Sequence, residues 1–212
     1  RSEAAPKVAP IRFPAHIANP LVLRHTGNDT QAAAVIAWPS GAGIADVAES
    51  RRLDVIAAIF NDRLFEKLRQ GTGTSYSPNV DSAWPLRLPA GGRIVALGQV
   101  PPDQTGTFLK MAREIAADLA ANPVQPDELK RILGPIGQTL MRNSTGNQFW
   151  MRLSEGATRD PRIYASIRSL GADYGSASPE ALRATAQKYF LPEKEWSMIV
   201  LPKEAAKPAG TR

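Results

Sequence analysis

The sequence RLFEKLRQGTGTSYSP, at residues 63–78, decides how this chain is organised. It predicts the end of an amphipathic helix, with Gly71 directly after the last turn, followed by an extended segment that carries Tyr76. Working backwards, apolar side chains recur at helical spacing from residue 53 onward, and Asp46 is placed to cap the start of the helix. Arg69 and Tyr76 lie seven residues apart across the turn, so the two side chains can face one groove.

Strand patterns occur on both sides of this helix. Residues 93–100 form the strongest pattern, and Pro78 marks residues 74–84 as an edge strand or a bulge because proline cannot donate to a strand ladder. The other predicted strands are residues 21–24 and 31–38, around a turn at residues 27–29, and residues 196–201 near the end.

Further helices are predicted between the last two strands. They begin at Asp103, at Pro126, at Asn147 and at Pro179, the last capped by Ser178, and Pro135 predicts a kink within its helix. The pattern at residues 147–157 places Phe149 and Leu153 inward, and residues 158–177 read as a loop-rich region with one short helical piece. This order predicts an α+β fold, with helices covering one face of a mainly antiparallel sheet.

The length and composition predict one domain. The chain has 212 residues, of which 43% are hydrophobic, enough to bury a substantial core. Prolines at positions 6, 10, 14 and 20 predict that residues 1–20 are a linker. We therefore expect a single domain over residues 21–203, which lacks a zinc motif, and a tail over residues 204–212.

Several catalytic chemistries are excluded by the residue types. The absence of cysteine excludes disulfides, thiolate catalysis and cysteine-based metal sites. The only histidines, His16 and His25, begin neither H-x-x-E-H nor H-E-x-x-H, so we expect no metal site in this chain. No G-x-S-x-G motif is present, and the glycines at positions 71 and 73 follow a helix, whereas phosphate sites use the start of one. We therefore expect no catalytic residue.

The charge pattern argues against a nucleic-acid partner, and the hydropathy pattern argues against a membrane span. The net charge is +6, but the basic residues are interleaved with acids, and the only basic doublets are at residues 51–52 and 130–131. No apolar run approaches the roughly 20 residues that span a bilayer. The compartment stays open between bacterial periplasm and cytoplasm, with the periplasm slightly favoured.

Arg69 and Tyr76 are the remaining candidates for function, and two interpretations stay open from the residues alone. In the structural interpretation, Arg69 complements the helix dipole and Tyr76 packs in the sheet. In the functional interpretation, both side chains donate hydrogen bonds to a peptide carbonyl in an adjacent cleft.

The long helix, FEKLR at residues 65–69, the glycine turn and Tyr76 together resemble the C-terminal-half domain of the insulinase–pitrilysin metallopeptidases, also called inverzincins. The closing segment, SPEALRATAQKYFLP at residues 178–192 followed by WSMIVLP, is also similar, and the resemblance covers residues 20–203. The residues before the tyrosine depart from the family, which often has glycine directly before it, whereas this chain has Thr74 and Ser75.

The resemblance implies half of a clamshell. In that family one half binds zinc through an inverted H-x-x-E-H motif, and the other half contributes an arginine and a tyrosine to substrate binding. Arg69 and Tyr76 match that pair, and residues 46–69 contain no histidine. The expected function is therefore a substrate-binding, non-catalytic half of a zinc endopeptidase, inactive alone. Its expected partners are a zinc-bearing homologous domain and a peptide substrate. The alternative is an inactive scaffold or assembly subunit of the same fold.

Overall fold

Five strands form one sheet in the computed structural model, which describes residues 12–41, 43–72, 78–85 and 91–203. The strands are β1 (Leu21–His25), β2 (Ala32–Pro39), β3 (Asn79–Ala83), β4 (Arg93–Val100) and β5 (Trp196–Pro202). Their order across the sheet is β1-β5-β2-β4-β3. The edge position predicted for the segment after Pro78 is therefore confirmed for β3, and residues 73–77 lie outside the described part.

The pairing of the strands is mainly antiparallel, as predicted. β2 and β4 pair from Ala32 opposite Val100 to Pro39 opposite Arg93, and β3 continues the antiparallel pattern on β4. β5 is antiparallel to β2 and parallel to β1. The turn at residues 27–29 therefore does not close a hairpin, because β5 lies between the two strands that flank this turn.

The long helix α1 is present as predicted, and several other helices pack against it. The described helices are α1 (Val47–Thr72), α2 (Thr105–Ala121), α3 (Pro126–Asn143), α4 (Asn147–Ser154), α5 (Arg162–Arg168), α6 (Leu170–Gly175) and α7 (Pro179–Tyr189). The predicted caps are present: Asp46 Oδ1 accepts from the Glu49 N–H at 2.9 Å, and Ser178 Oγ accepts from the Ala181 N–H at 3.2 Å.

Three helix predictions are wrong in detail. α1 continues through Gly71 to Thr72, because a glycine lowers helix propensity by about 1 kcal/mol without forbidding the helical conformation. Residues 158–177 contain two helices, α5 and α6, where a loop-rich region was predicted. α4 ends at Ser154, three residues earlier than predicted, although Phe149 and Leu153 form its inward side as predicted, since they alone on this helix are half-buried.

The core lies between the sheet and α1, α2 and α7. Alternate residues of the central strands, such as Ile36 on β2 and Ile94 on β4, are fully buried, as are Leu53 and Leu64 on α1. Three rings form its centre, Trp38, Phe60 and Phe190, with centroids 5.0 to 6.1 Å apart. This core fixes α1 along one face of the sheet.

The contact between β4 and α2 depends on Gly98. A Cβ atom at this position would lie 2.3 Å from Phe108 Cε2, closer than real Cβ contacts. Phe108 itself is fully buried. The missing side chain therefore lets the ring of Phe108 lie directly against the strand.

Candidate functional site

Arg69, the first predicted site residue, is on the last turns of α1 and points into solvent. Its side chain is 68% exposed, and Nη2 donates to Glu66 Oε2 at 3.2 Å. Exposed ion pairs of this kind contribute about 0–1 kcal/mol, so Glu66 holds the guanidinium only weakly. Arg69 is therefore free to exchange this bond for one to a bound group.

The helix that carries Arg69 is held firmly on its other side. Arg63, six residues earlier, donates to both oxygens of Glu128 on α3 at 2.7 and 2.8 Å and to Asp118 on α2 at 2.6 Å. The hydrogen bond from Arg63 lowers the pKa of Glu128, and the same bond raises the pKa of Arg63. Because α1, α2 and α3 are joined at this point, Arg69 projects from a fixed helix end.

Tyr76, the second predicted site residue, lies outside the described residues. The structure describes the chain up to the end of α1 at Thr72 and again from Pro78, just before β3. The juxtaposition of Tyr76 with Arg69 therefore stays a prediction.

The edge strand β3 beside this site is tied to α1. Asn61 Oδ1 accepts from the Val80 N–H at 3.0 Å, and Pro78 has no N–H to donate. Two donors that an edge strand would offer to an added peptide strand are therefore absent or occupied. The start of β3 therefore offers an added peptide fewer backbone donors than a free edge strand does.

A buried polar cluster was missed by the sequence analysis. Asp54 of α1 accepts from Trp84 Nε1 and from the Tyr174 hydroxyl, each at 2.9 Å. Burial raises the pKa of Asp54 despite these hydrogen bonds, and burial together with Asp54 raises the pKa of Tyr174. The cluster joins α1 to α6 and to the residue after β3. The signal for it was an acid between Leu53 and Val55 on an otherwise apolar part of α1.

The basic doublet at residues 51–52 also stabilises the fold. Arg51 is buried and donates to the Ser166 carbonyl, to Ser169 Oγ at 3.1 Å and to Asp173, while Arg52 Nε donates to Thr185 Oγ1 at 3.2 Å. Both cations are therefore used to hold α5, α6 and α7 against α1. This doublet does not form a basic surface patch.

The two histidines do not fit a zinc site. His25 Nδ1 accepts from the Gly27 N–H at 3.0 Å and Nε2 donates to the Gln31 carbonyl at 2.8 Å, so both ring nitrogens are used. His16 Nδ1 bonds the Glu195 carbonyl at 2.8 Å. Within the described ranges, no group of three or more His, Cys, Asp or Glu could hold a metal ion. None of the helices in those ranges is long and apolar enough to cross a membrane.

Solved structures share the fold of this chain, whereas comparisons of its sequence find no match. No protein-family model and no curated protein matches this chain. Solved structures match at low identity. PqqL, a periplasmic protease of Escherichia coli, is 13% identical with a TM-score of 0.69, over 87% of this chain and 20% of that one. An M16 peptidase inactive domain from Pseudomonas fluorescens is 19% identical with a TM-score of 0.67, over 96% and 48%.

The same fold occurs as a separate domain. The inactive peptidase domain of a candidate zinc protease from Bordetella parapertussis is 17% identical with a TM-score of 0.68, over 86% of this chain and 98% of that one. The chain thus spans a fifth to a half of the first two proteins and nearly the whole of this domain. The chain therefore has the fold of the inactive M16 peptidase domains.

Proposed function

We propose that this chain is the substrate-binding, non-catalytic half of a zinc-dependent endopeptidase of the insulinase–pitrilysin type, from a bacterium. The observation that carries the proposal is Arg69, an exposed guanidinium on a firmly held helix end, in a fold shared with inactive peptidase domains. The metal-ligating residues present fit this division of roles, because no group of three or more His, Cys, Asp or Glu within the described ranges could hold a metal ion.

The chemistry of this half is binding and orientation. A guanidinium presents several N–H donors in a fixed plane and a phenol presents one rigid O–H, so Arg69 and Tyr76 can hold a peptide carbonyl from two sides. Zinc, held by the partner half, would polarise the scissile carbonyl and activate water. Arg69 and Tyr76 keep the peptide in place for that attack, which is the positioning contribution to catalysis.

The test is reconstitution of peptidase activity. The chain is combined with its zinc-bearing partner half, on the same polypeptide or as a separate subunit, and kcat/KM is measured with a fluorogenic peptide. Arg69→Ala should lower kcat/KM by about 10- to 100-fold, because a hydrogen bond from a charged donor is worth about 1.5–3 kcal/mol. Tyr76→Phe should lower kcat/KM by about 2- to 10-fold, because a neutral hydrogen bond is worth about 0.5–1.5 kcal/mol. Arg168→Ala, which removes an exposed arginine from α5, is the matched control and should change kcat/KM less than twofold.

Two results would contradict the proposal. Normal turnover by both variants would show that Arg69 and Tyr76 do not contribute to substrate binding. A stable complex that binds zinc yet cleaves no peptide would favour the alternative function, an inactive scaffold or assembly subunit of the same fold. Zinc content, measured in every variant, separates lost substrate binding from loss of the metal.

A further inference from the structure

The corner between α3 and α4 forms a groove that the proposed function does not use. Its volume is about 540 Å³, and its wall includes Arg142 at the end of α3, Arg152 on α4, and the apolar side chains of Phe149 and Leu153. The two guanidiniums and the two apolar side chains therefore line one concave surface.

The positive charge of this groove is not neutralised. Arg142 Nη2 contacts only Thr139 Oγ1, at 3.5 Å, and Arg152 makes no hydrogen bond or ion pair with any described residue. Residues 129–154 contain four basic residues and no acidic one. By contrast, Arg63, Lys67 and Arg131 near the other end of α3 all face carboxylates. An anionic ligand would find two cations here that nothing in the described chain competes for.

The apolar part of the corner is unusually exposed. Met141 is 74% exposed, Met151 is 70% exposed and Trp150 is 43% exposed. Trp150 is fixed, because its Nε1 donates to the Ser144 carbonyl at 2.7 Å and its ring meets Phe149 edge-on at 5.2 Å. A fixed aromatic beside flexible methionines is a combination common at binding surfaces.

The groove is distant from Arg69. α3 runs antiparallel to α1, since Glu128 bonds Arg63 near one end and Ile136 lines the same pocket as Asp54 further along. Asp54 and Arg69 are 15 residues apart on α1, which corresponds to about 22 Å of helix. Arg142 lies still further in that direction. The α3–α4 groove is thus a separate surface.

We propose that the α3–α4 groove binds an acidic peptide segment in which carboxylates flank an apolar side chain. The carboxylates meet Arg142 and Arg152 in the bidentate geometry that guanidinium favours, and the apolar side chain lies on Phe149 and Leu153. A membrane surface fits less well, because the two guanidiniums line a concave site and not a convex face that could enter a lipid headgroup layer.

Fluorescence anisotropy of the isolated chain tests this inference. The probe is a fluorescein-labelled 15-residue peptide in which pairs of glutamates alternate with single leucines, and its counterpart has glutamine in place of glutamate. We expect the acidic peptide to bind at least tenfold more tightly than the glutamine peptide, with an affinity that falls as salt rises. Arg142→Gln with Arg152→Gln should weaken binding at least tenfold.

The matched control is Lys110→Gln with Arg168→Gln, which removes the same charge from exposed positions outside the groove. It should bind the acidic peptide within twofold of the unmodified chain. Equal weakening by both double variants, or equal binding of the two peptides, would overturn the inference. So would tighter binding to phosphatidylserine vesicles than to the acidic peptide. Because no partner half is needed, failure here leaves the test of Arg69 and Tyr76 unaffected.

Discussion

Folding shifts the pKa values of two carboxylates, Asp54 and Glu128, in opposite directions. Burial dominates at Asp54 and raises its pKa, whereas the hydrogen bond from Arg63 dominates at Glu128 and lowers its pKa. A raised pKa means that the folded state binds the proton more tightly than the unfolded chain does. The contribution of Asp54 to stability is therefore present at pH below its ordinary pKa of 3.8 and is lost as the pH rises through the folded-state pKa.

Asp54→Asn should accordingly gain stability relative to the unmodified chain as the pH rises from about 3.5 to 7. The amide oxygen of asparagine can still accept from Trp84 or Tyr174, while the buried negative charge is gone. The measurement is the free energy of unfolding in urea at several pH values. A difference between the two proteins that does not change with pH would show that Asp54 does not titrate in this range.

Glu128→Gln serves as the opposite control in the same experiment. Because the folded-state pKa of Glu128 is lowered, its stabilising contribution is present above its ordinary pKa of 4.5 and is lost as the pH falls. The variant should be less stable by about 1–2 kcal/mol at pH 7, since Arg63 loses a charged acceptor, and the deficit should shrink in acid.

At the scale of elements, the packing of α2 on β4 depends on Gly98. Gly98→Ala should lower the free energy of unfolding by about 1–3 kcal/mol, because the new methyl group overlaps the buried ring of Phe108. Gly137→Ala on α3 is the matched control, since a Cβ there meets no atom within 4 Å. It should be neutral or stabilising by up to about 1 kcal/mol, because alanine favours the helix. Similar losses in both variants, measured by urea unfolding, would contradict the packing argument.

Elements with a clear apolar pattern were predictable from the sequence, including the short strand β1, whereas α5 and α6 were not. α1 and β4 lie where the patterns of 3.6 and 2 predict them, and β4 has the predicted bounds of residues 93–100. α5 and α6 have only seven and six residues, too few for a clear period. They are stabilised by contacts with distant residues, chiefly the hydrogen bonds from Arg51 to the Ser166 carbonyl and Asp173. Such tertiary contacts leave no local signature.

At the scale of the whole molecule, the α+β class follows from the order of elements, but the strand order does not. The position of β5 between β1 and β2 is set by pairing across more than 170 residues of sequence, from Leu21 to Met198. The candidate site, too, could be predicted only in part from the sequence. Arg69 and Tyr76 were identified by their spacing, by the exclusion of other chemistries and by a family resemblance, while the Asp54 cluster and the α3–α4 groove require side chains from several elements and were not predicted.

Zinc should not change the thermal stability of the isolated chain. The sequence has no cysteine and two histidines, and both histidines are hydrogen-bonded within the fold. Adding one equivalent of zinc should leave the thermal unfolding midpoint unchanged, whereas a site filled at 100 times its Kd would add about 2.7 kcal/mol. The zinc-bearing partner half is the positive control. A rise in the midpoint together with zinc retained after dialysis would contradict this expectation.

The position of β5 between β1 and β2 also affects when the sheet can be completed during synthesis. Among the described strands, β1 is made first, and β5 is the one described strand beside it. While the ribosome is still making residues 26–195, Leu21, Val22 and Leu23 have no strand to pair with, although β2, β3 and β4 can already assemble. The sheet is completed only when β5 enters between β1 and β2, so β1 stays unpaired until residues 196–202 have been synthesised.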